Sequence, residues 1–174
     1  MIFKKNLVLI GMMGAGKSTI GTILADKLKF KFIDTDYEIE KNERNTIKKI
    51  FDHKGEKYFR DVEEEIVLEK LKSNNCVVAL GGGSFLNPKI RKNILENNLS
   101  FWLDWDNKIL IDRIFKSKKR PKVENLSKRE IERLKKKRDA IYKFADYKLN
   151  CTNFTKNQIT NKIIDFYENK KNKN

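Results

Sequence analysis

The chain has 174 residues, of which 39 are Lys or Arg and 24 are Asp or Glu, so its formal net charge is +15. This length predicts one domain, from residue 1 to about 168, that can build a hydrophobic core without disulfides or a structural metal. No apolar run approaches the roughly 20 residues that cross a bilayer, so we expect no membrane partner. Because we find no secretory signal, we expect a cytoplasmic protein, and we expect it to be a monomer. Cys76 and Cys151 are expected to stay unpaired, as in a reducing compartment.

The high positive charge raises the question of a nucleic-acid partner. The excess lies mainly in residues 116–122, 128–138 and 170–173, within a chain that is rich in Lys and Asn throughout. The sequence has no zinc-finger spacing, no aromatic ribonucleoprotein motif and no glycine-clamped KH loop. We therefore expect no specific nucleic-acid partner, and a basic surface also attracts polyanionic small molecules such as ATP.

A phosphate-binding motif stands near the start of the chain. An apolar run over residues 6–10 predicts a buried parallel strand, and the pattern G-x-x-x-x-G-K-[ST] follows with Gly11, Gly16, Lys17 and Ser18. Glycines let backbone N–H groups point at anionic oxygens, and the next helix adds its positive N-terminal end. Lys17 is expected to reach the outer phosphates of a nucleotide, and the hydroxyl of Ser18 suits a magnesium ion.

A secretory signal is the other interpretation of this stretch, because Lys4 and Lys5 precede the apolar run. A signal has no reason to end in Gly-Lys-Ser-Thr. The next residues also keep the apolar spacing of a helix as far as Leu28. The sequence therefore favours a strand, a phosphate loop and a helix.

A second strand, residues 31–33, runs directly into Asp34 and Asp36. Side chains at the carboxyl ends of parallel strands lie where open α/β sheets bind ligands. On an extended backbone these two carboxylates share one side, so both are expected to face one site. The alternative for Asp36 is a helix cap before a helix that begins near Tyr37.

The next segments predict a helix over residues 46–53, a break at Gly55 and a second helix to about Leu71. This second helix carries Arg60 and Glu63 one turn apart. Such a pair can hold a guanidinium in a fixed orientation, but on a surface helix it is usually a weak solvated ion pair. The residues alone leave both interpretations open.

Three consecutive glycines, Gly81, Gly82 and Gly83, follow a third strand at residues 76–80. Three glycines are more than a tight turn needs, and they favour close approach of the backbone to a ligand. A flexible turn between strand and helix is the alternative. The same sheet edge is expected to carry the phosphate loop, which favours a functional interpretation.

The remaining segments alternate between helices and strands. We predict helices over residues 88–95, 107–115, 127–144 and 155–167, and strands over 100–103 and 147–149. Residues 116–126 are basic and poor in apolar side chains, and they are interpreted as a mobile lid carrying Arg120. Arg138 lies on the long helix after this lid. Residues 169–174 are expected to form a disordered basic tail.

Several motifs in this order resemble the shikimate kinase family, within the P-loop kinases related to nucleoside monophosphate kinases. The resemblance runs from about Leu7 to Leu149. It rests on the phosphate loop, Asp34-Thr35-Asp36, Gly55-Glu56 with Phe59-Arg60 and Glu63, the three glycines, Arg120-Pro121, and Arg138 with Tyr142 and Ala145-Asp146. The resemblance implies a three-layer α/β P-loop kinase fold, with a five-stranded parallel sheet flanked by helices.

The resemblance also implies a reaction, in which the γ-phosphoryl group of ATP passes to the 3-hydroxyl of shikimate. Mg²⁺ would be held by Ser18 and, through water, by Asp34. The ATP phosphates would be held by Lys17 and the backbone of the loop, at Gly14, Ala15, Gly16, Lys17, Ser18 and Thr19. Arg120 would close over the phosphates from the lid, and Arg113 matches the position that packs on adenine.

The acceptor half of the implied site consists of other residues. Asp36 would bind the shikimate hydroxyls and act as the base for the attacking one. Arg60 and Arg138 would clamp the substrate carboxylate, with Glu63 orienting Arg60. The amides of Gly81, Gly82 and Gly83 would meet shikimate and the γ-phosphate.

One departure concerns the lid, where Lys122 and Val123 replace the two leucines usual in the family after Arg120-Pro121. Two other functions stay open from the residues alone. A P-loop kinase could act on another small hydroxylated substrate, such as gluconate or a nucleoside monophosphate. A nucleic-acid-binding module could also retain an ATP site.

Overall fold

The computed structural model describes residues 6–116 and 126–172 of the chain. Five strands form one parallel sheet in the order β2-β3-β1-β4-β5. The strands are β1 Leu7–Ile10, β2 Lys31–Asp34, β3 Cys76–Ala79, β4 Leu99–Asp104 and β5 Tyr147–Asn150. The parallel five-stranded sheet predicted from the family resemblance is therefore confirmed.

Seven α-helices flank this sheet within the described residues. They are α1 Lys17–Leu28, α2 Thr35–Glu43, α3 Ile47–Leu71, α4 Pro88–Asn97, α5 Asn107–Lys116, α6 Lys128–Tyr142 and α7 Lys156–Lys171. None of the helices in this part of the chain has the length and apolar character that a membrane crossing requires.

The strand order explains how the motifs meet. β1 is central, with Val8 beside Val78 of β3 on one side and beside Ser100 of β4 on the other. Every residue of β1 is buried, because helices cover both faces of a parallel sheet. The phosphate loop after β1 and the three glycines after β3 therefore leave the same edge of the sheet, and β2 delivers Asp34 next to them.

The buried apolar side chains of the described residues form two separate clusters. The larger one contains the strands and the helices packed on them. The smaller one lies between α2 and α3 and consists of Ile39, Ile50, Phe59 and Ile66. We call it the α2–α3 cluster, because its four residues lie on the two helices that follow β2; α3 also contributes Val67 and Leu71 to the larger cluster.

Most element boundaries lie within one or two residues of the prediction, and two of the differences change what the elements carry. α2 begins at Thr35, directly after β2, because the Asp34 carboxylate accepts hydrogen bonds from the backbone N–H groups of Asp36 and Tyr37. Asp36 is therefore helical, and the predicted shared side of an extended backbone is wrong. α7 extends to Lys171, so the predicted disordered tail is wrong for residues 169–171.

The predicted break at Gly55 is present inside α3. Its φ of 80° and ψ of 170° are non-helical and separate two helical segments of α3. A positive φ of this size favours glycine, even though open space surrounds the position where a Cβ would lie. The second segment of α3 carries Arg60 and Glu63.

Candidate active site

The phosphate loop, residues 11–18, joins β1 to α1. Gly14 and Gly16 have φ values of 79° and 84°, the left-handed region that glycine adopts without strain. The Lys17 ammonium is buried against this loop and donates hydrogen bonds to the carbonyl oxygens of Gly11 at 2.8 Å and Met12 at 3.0 Å. The loop thus presents a positive charge at the N-terminus of α1, where anions bind.

Ser18 and Asp34 form a contact between the first helix and the second strand. The Ser18 hydroxyl donates a hydrogen bond to Oδ2 of Asp34 at 2.6 Å, and the other carboxylate oxygen caps α2. A hydroxyl beside a carboxylate is an oxygen-only donor pair, which suits Mg²⁺. No group of three or more His, Cys, Asp or Glu side chains within residues 6–116 and 126–172 could hold a metal ion. The pair therefore fits an ion that keeps most of its water and phosphate ligands.

Each of the three glycines faces a different charged side chain. A Cβ built on Gly81 would lie 2.5 Å from Oδ1 of Asp36. A Cβ built on Gly82 would lie 3.0 Å from Nη1 of Arg138, and one on Gly83 would lie 2.7 Å from Nη1 of Arg60. A side chain on any of residues 81–83 would therefore clash with one of these charged groups. The glycines let one carboxylate and two guanidinium groups converge on a single loop.

Residues 81–83, which we call the glycine loop, also contact the phosphate loop. The position of a Gly82 Cβ lies 3.5 Å from the backbone nitrogen of Met13 and 3.8 Å from the carbonyl oxygen of Gly11. The predicted acceptor residues and the predicted phosphate residues therefore form one continuous site. The structure brings together all the predicted site residues of the two loops, with Asp34, Asp36, Arg60 and Arg138.

Arg60 and Glu63 form an ion pair whose carboxylate is buried. Glu63 is 2% exposed, and its two oxygens bind Nη1 of Arg60 at 2.6 Å and the hydroxyl of Ser84 at 2.7 Å. Burial tends to lower the pKa of the Arg60 guanidinium, but the carboxylates of Glu63 and Glu56 outweigh burial and raise it. The alternative of a weak solvated pair is thus wrong, because a buried carboxylate fixes one side of the guanidinium.

Arg138 approaches the glycine loop from α6. Its Nη1 lies 3.5 Å from the sulfur of Met12. Its Nε is shielded from solvent and has no hydrogen-bond partner in the described part of the chain. A buried donor without a partner is costly, and a bound anion would satisfy it.

Three other residues contact the site, and the sequence did not indicate a role for them. Ser84 binds Glu63, as described above. Tyr142 on α6 donates a hydrogen bond from its hydroxyl to the carbonyl oxygen of Gly82. Trp105 donates from Nε1 to the carbonyl oxygen of Ala15 at 2.9 Å. Tyr142 lies one helical turn after Arg138 and belongs to the motif shared with the family, and these two signals could have indicated its contact.

Arg113 lies on α5 next to the phosphate loop. Its guanidinium carbon is 3.6 Å from the centre of the Trp105 ring, a cation–π contact. Arg113 is exposed, so one face of its guanidinium is open to a ligand. Arg120 and the rest of the predicted lid between residues 117 and 125 lie outside the described residues.

The family model described as "Shikimate kinase" matches residues 13–168 of this chain. The chain belongs to the shikimate kinase family. A shikimate kinase of Persephonella marina is 40% identical over 160 residues, which are 92% of this chain and 97% of that relative. Members of this family are ATP-dependent kinases, so the predicted enzyme class is confirmed.

Solved shikimate kinases also share the fold. The crystal structure from Bacteroides thetaiotaomicron superposes with a TM-score of 0.87 at 26% identity, covering 94% of this chain and 98% of that chain. The shikimate kinase from Acinetobacter baumannii in complex with shikimate has a TM-score of 0.87 at 30% identity, and 94% and 92% of the two chains are covered. The predicted three-layer P-loop kinase fold is therefore confirmed.

Proposed function

We propose that this protein transfers the γ-phosphoryl group of ATP to the 3-hydroxyl of shikimate, giving shikimate 3-phosphate and ADP. The observation that carries the proposal is the set of charges around the glycine loop, where Asp36, Arg138 and Arg60 face Gly81, Gly82 and Gly83 in turn. Two guanidinium groups suit a carboxylate, and one carboxylate suits hydroxyl groups. A hydroxy acid carries both functions, and shikimate is such an acid.

The roles follow from what phosphoryl transfer requires. The transferred group needs alignment and neutralisation of its charge more than covalent help. Arg60 and Arg138 hold the acceptor carboxylate and thereby point the reacting hydroxyl at the phosphate loop. Asp36 accepts the proton of that hydroxyl as it attacks. Lys17 and the backbone of residues 11–19 hold the phosphates and stabilise the charge that develops on them.

Ser18 and Asp34 are proposed to hold Mg²⁺, Ser18 directly and Asp34 through water. Their adjacent oxygens, 2.6 Å apart, are the support for this assignment. When bound, the ion supplies positive charge to the phosphate oxygens. The position of Asp34 does not depend on the ion, because the same carboxylate caps α2.

Arg113 and Arg120 complete the nucleotide side of the proposal. The open face of Arg113 would pack on adenine, as the family resemblance implies. Arg120 would close over the phosphates and exclude water, and water exclusion matters because hydrolysis of ATP is the competing reaction.

The proposed enzyme works as a monomer in the cytoplasm. Cys76 and Cys151 are free and buried, as is usual for a reducing compartment. Burial raises the pKa of both thiols, that of Cys151 to about 12, so neither is a reactive thiolate.

An acceptor assay tests the proposal. Release of ADP by the purified full chain is followed with MgATP and, in parallel, shikimate, gluconate or a nucleoside monophosphate, each at millimolar concentration. We expect turnover with shikimate alone, and its loss in excess EDTA. A faster rate with gluconate or a nucleotide acceptor, or no shikimate-dependent rate, would overturn the proposed function. An EDTA-resistant rate would contradict the Mg²⁺ assignment.

A further inference from the structure

The last residue of α6, Tyr142, is attached to the glycine loop. Its side chain is 1% exposed, and its hydroxyl donates to the carbonyl oxygen of Gly82. The edge of its ring packs against Trp102 of β4, with the ring centres 5.9 Å apart. Tyr142 therefore fills a buried place between the sheet and the loop and makes one directed polar contact there.

That contact holds the Gly82 carbonyl between two glycines that are already hydrogen-bonded. The N–H of Gly81 donates to Oγ1 of Thr35, and the carbonyl oxygens of Gly81 and Gly83 accept from the N–H groups of Ser84 and Leu86. Gly82 is flanked by glycines on both sides, and glycine gives a chain its largest conformational freedom. The hydrogen bond from Tyr142 fixes the direction of the peptide group after Gly82. Burial raises the pKa of Tyr142 to about 12, so its hydroxyl remains a donor at neutral pH.

The side chains of Tyr142 and Arg138 both lie against Gly82. They are four residues apart on α6 and therefore lie on one face of the helix. The guanidinium of Arg138 lies 3.0 Å from the position of a Gly82 Cβ, while the hydroxyl of Tyr142 binds the Gly82 carbonyl. A shift of α6 along its axis would break both contacts together.

A second contact fixes α6 on the other side of Arg138. Lys135 is 8% exposed, and its ammonium binds Asp104 at the end of β4 at 3.0 Å. Its burial tends to lower the pKa of Lys135, but hydrogen bonds to Asp139 and Asp104 outweigh burial and raise it. Arg138 thus lies between a buried ion pair and a buried hydroxyl contact.

We infer that Tyr142 is a positioning residue for the acceptor: its hydroxyl sets the place of Gly82 and, through α6, that of Arg138. The inference rests on the proposed function, because it gives Tyr142 a role in binding the proposed hydroxy acid. Tyr142 itself touches the loop and not the reacting atoms. Its effect should therefore appear in acceptor affinity and leave nucleotide affinity unchanged.

The test is Tyr142→Phe, which removes one oxygen and keeps the shape of the ring. We expect the KM for shikimate to rise about tenfold, the effect of one lost buried hydrogen bond, with the KM for ATP within twofold of the wild-type value. Tyr147→Phe is the matched control. Tyr147 stacks on Phe101, and its hydroxyl has no hydrogen-bond partner in the described segments, so both KM values should stay unchanged.

Trp102→Phe separates positioning from packing, because it trims the ring contact and leaves the hydroxyl bond in place. This variant should lower the melting temperature without raising the KM for shikimate. An unchanged shikimate KM in Tyr142→Phe would overturn the inference, and so would an equal rise in Trp102→Phe. If the wild-type protein does not turn over shikimate at all, the proposed function fails first and the role of Tyr142 fails with it.

Discussion

The nucleotide half and the acceptor half of the site are constructed differently. The nucleotide half is almost one continuous segment, residues 11–19, and Lys17 binds carbonyl oxygens of its own loop. The acceptor half takes one charged group from each of α2, α3 and α6 and gathers them on the glycine loop. The first half follows from local sequence, and the second depends on how distant segments pack.

The nucleotide half and the acceptor half also differ in the buried clusters on which they rest. The phosphate loop follows β1, in which every residue is buried in the main cluster. Asp36 and Arg60 lie on helices joined by the smaller α2–α3 cluster. Arg138 lies on α6, whose Ile131 and Tyr142 belong to the main cluster, so the smaller cluster supports the Asp36 and Arg60 side of the acceptor half and not Arg138.

The largest expected effect is the loss of catalysis in Asp36→Asn. Removing the proposed base should lower kcat by about 10²- to 10⁴-fold, while the melting temperature stays near the wild-type value because the amide has nearly the same shape. Steady-state kinetics and thermal unfolding measure the two quantities. Asp52→Asn, an exposed carboxylate on α3, is the matched control and should be neutral. A near-normal kcat in Asp36→Asn would remove Asp36 as the base.

Arg60→Lys should affect the acceptor half alone. The lysine keeps a positive charge near the buried Glu63 but loses the two-pronged geometry of the guanidinium. We expect shikimate to bind roughly 10- to 100-fold more weakly, with ATP affinity nearly unchanged. Calorimetric titration with each ligand checks this, and Arg44→Lys, an exposed arginine of the same half, is the control. Equal losses for both ligands would contradict the division of the site into halves.

The smallest expected effect is a difference in local unfolding free energy between two regions of the wild-type protein. Backbone amides of α2 and of α3 before Gly55 should open at a lower free energy than those of β1, β3 and β4, by more than about 1 kcal/mol. The physical reason is that four buried side chains support these helices, whereas the strands lie inside the main cluster. Native-state hydrogen exchange measures this difference. Uniform protection across both regions would show that the α2–α3 cluster is not independently mobile.

The sequence predicted the strand, loop and helix around residues 11–18 because the information for them is local. The glycine spacing and the Lys-Ser pair of residues 11–18 specify loop, lysine and hydroxyl without reference to the rest of the chain. The alternation of strands and helices was also local, and the predicted break at Gly55 followed from the residue type alone. The predicted extended backbone after β2 was wrong, because the Asp34 carboxylate caps α2 directly after the strand.

The acceptor half could be predicted only in part, since its contacts join distant residues. Glu63 binds Ser84, 21 positions away, and Tyr142 binds Gly82, 60 positions away. Periodicity says which residues share a helix face but not which loop that face meets. The family resemblance supplied the charged residues of this half and the presence of Tyr142, whereas the contacts of Ser84, Tyr142 and Trp105 follow only from the packing of the chain.

The environment of Trp105 makes this residue an optical reporter. Its indole N–H is bonded to the phosphate loop at Ala15, and the guanidinium of Arg113 lies on its ring. Indole emission responds to nearby charge and to hydrogen bonding, so a displacement of either neighbour alters the fluorescence of this ring. Trp102 is the other tryptophan of the chain, and replacing it leaves a single tryptophan, whose emission, excited selectively over that of the tyrosines, reports on the nucleotide half.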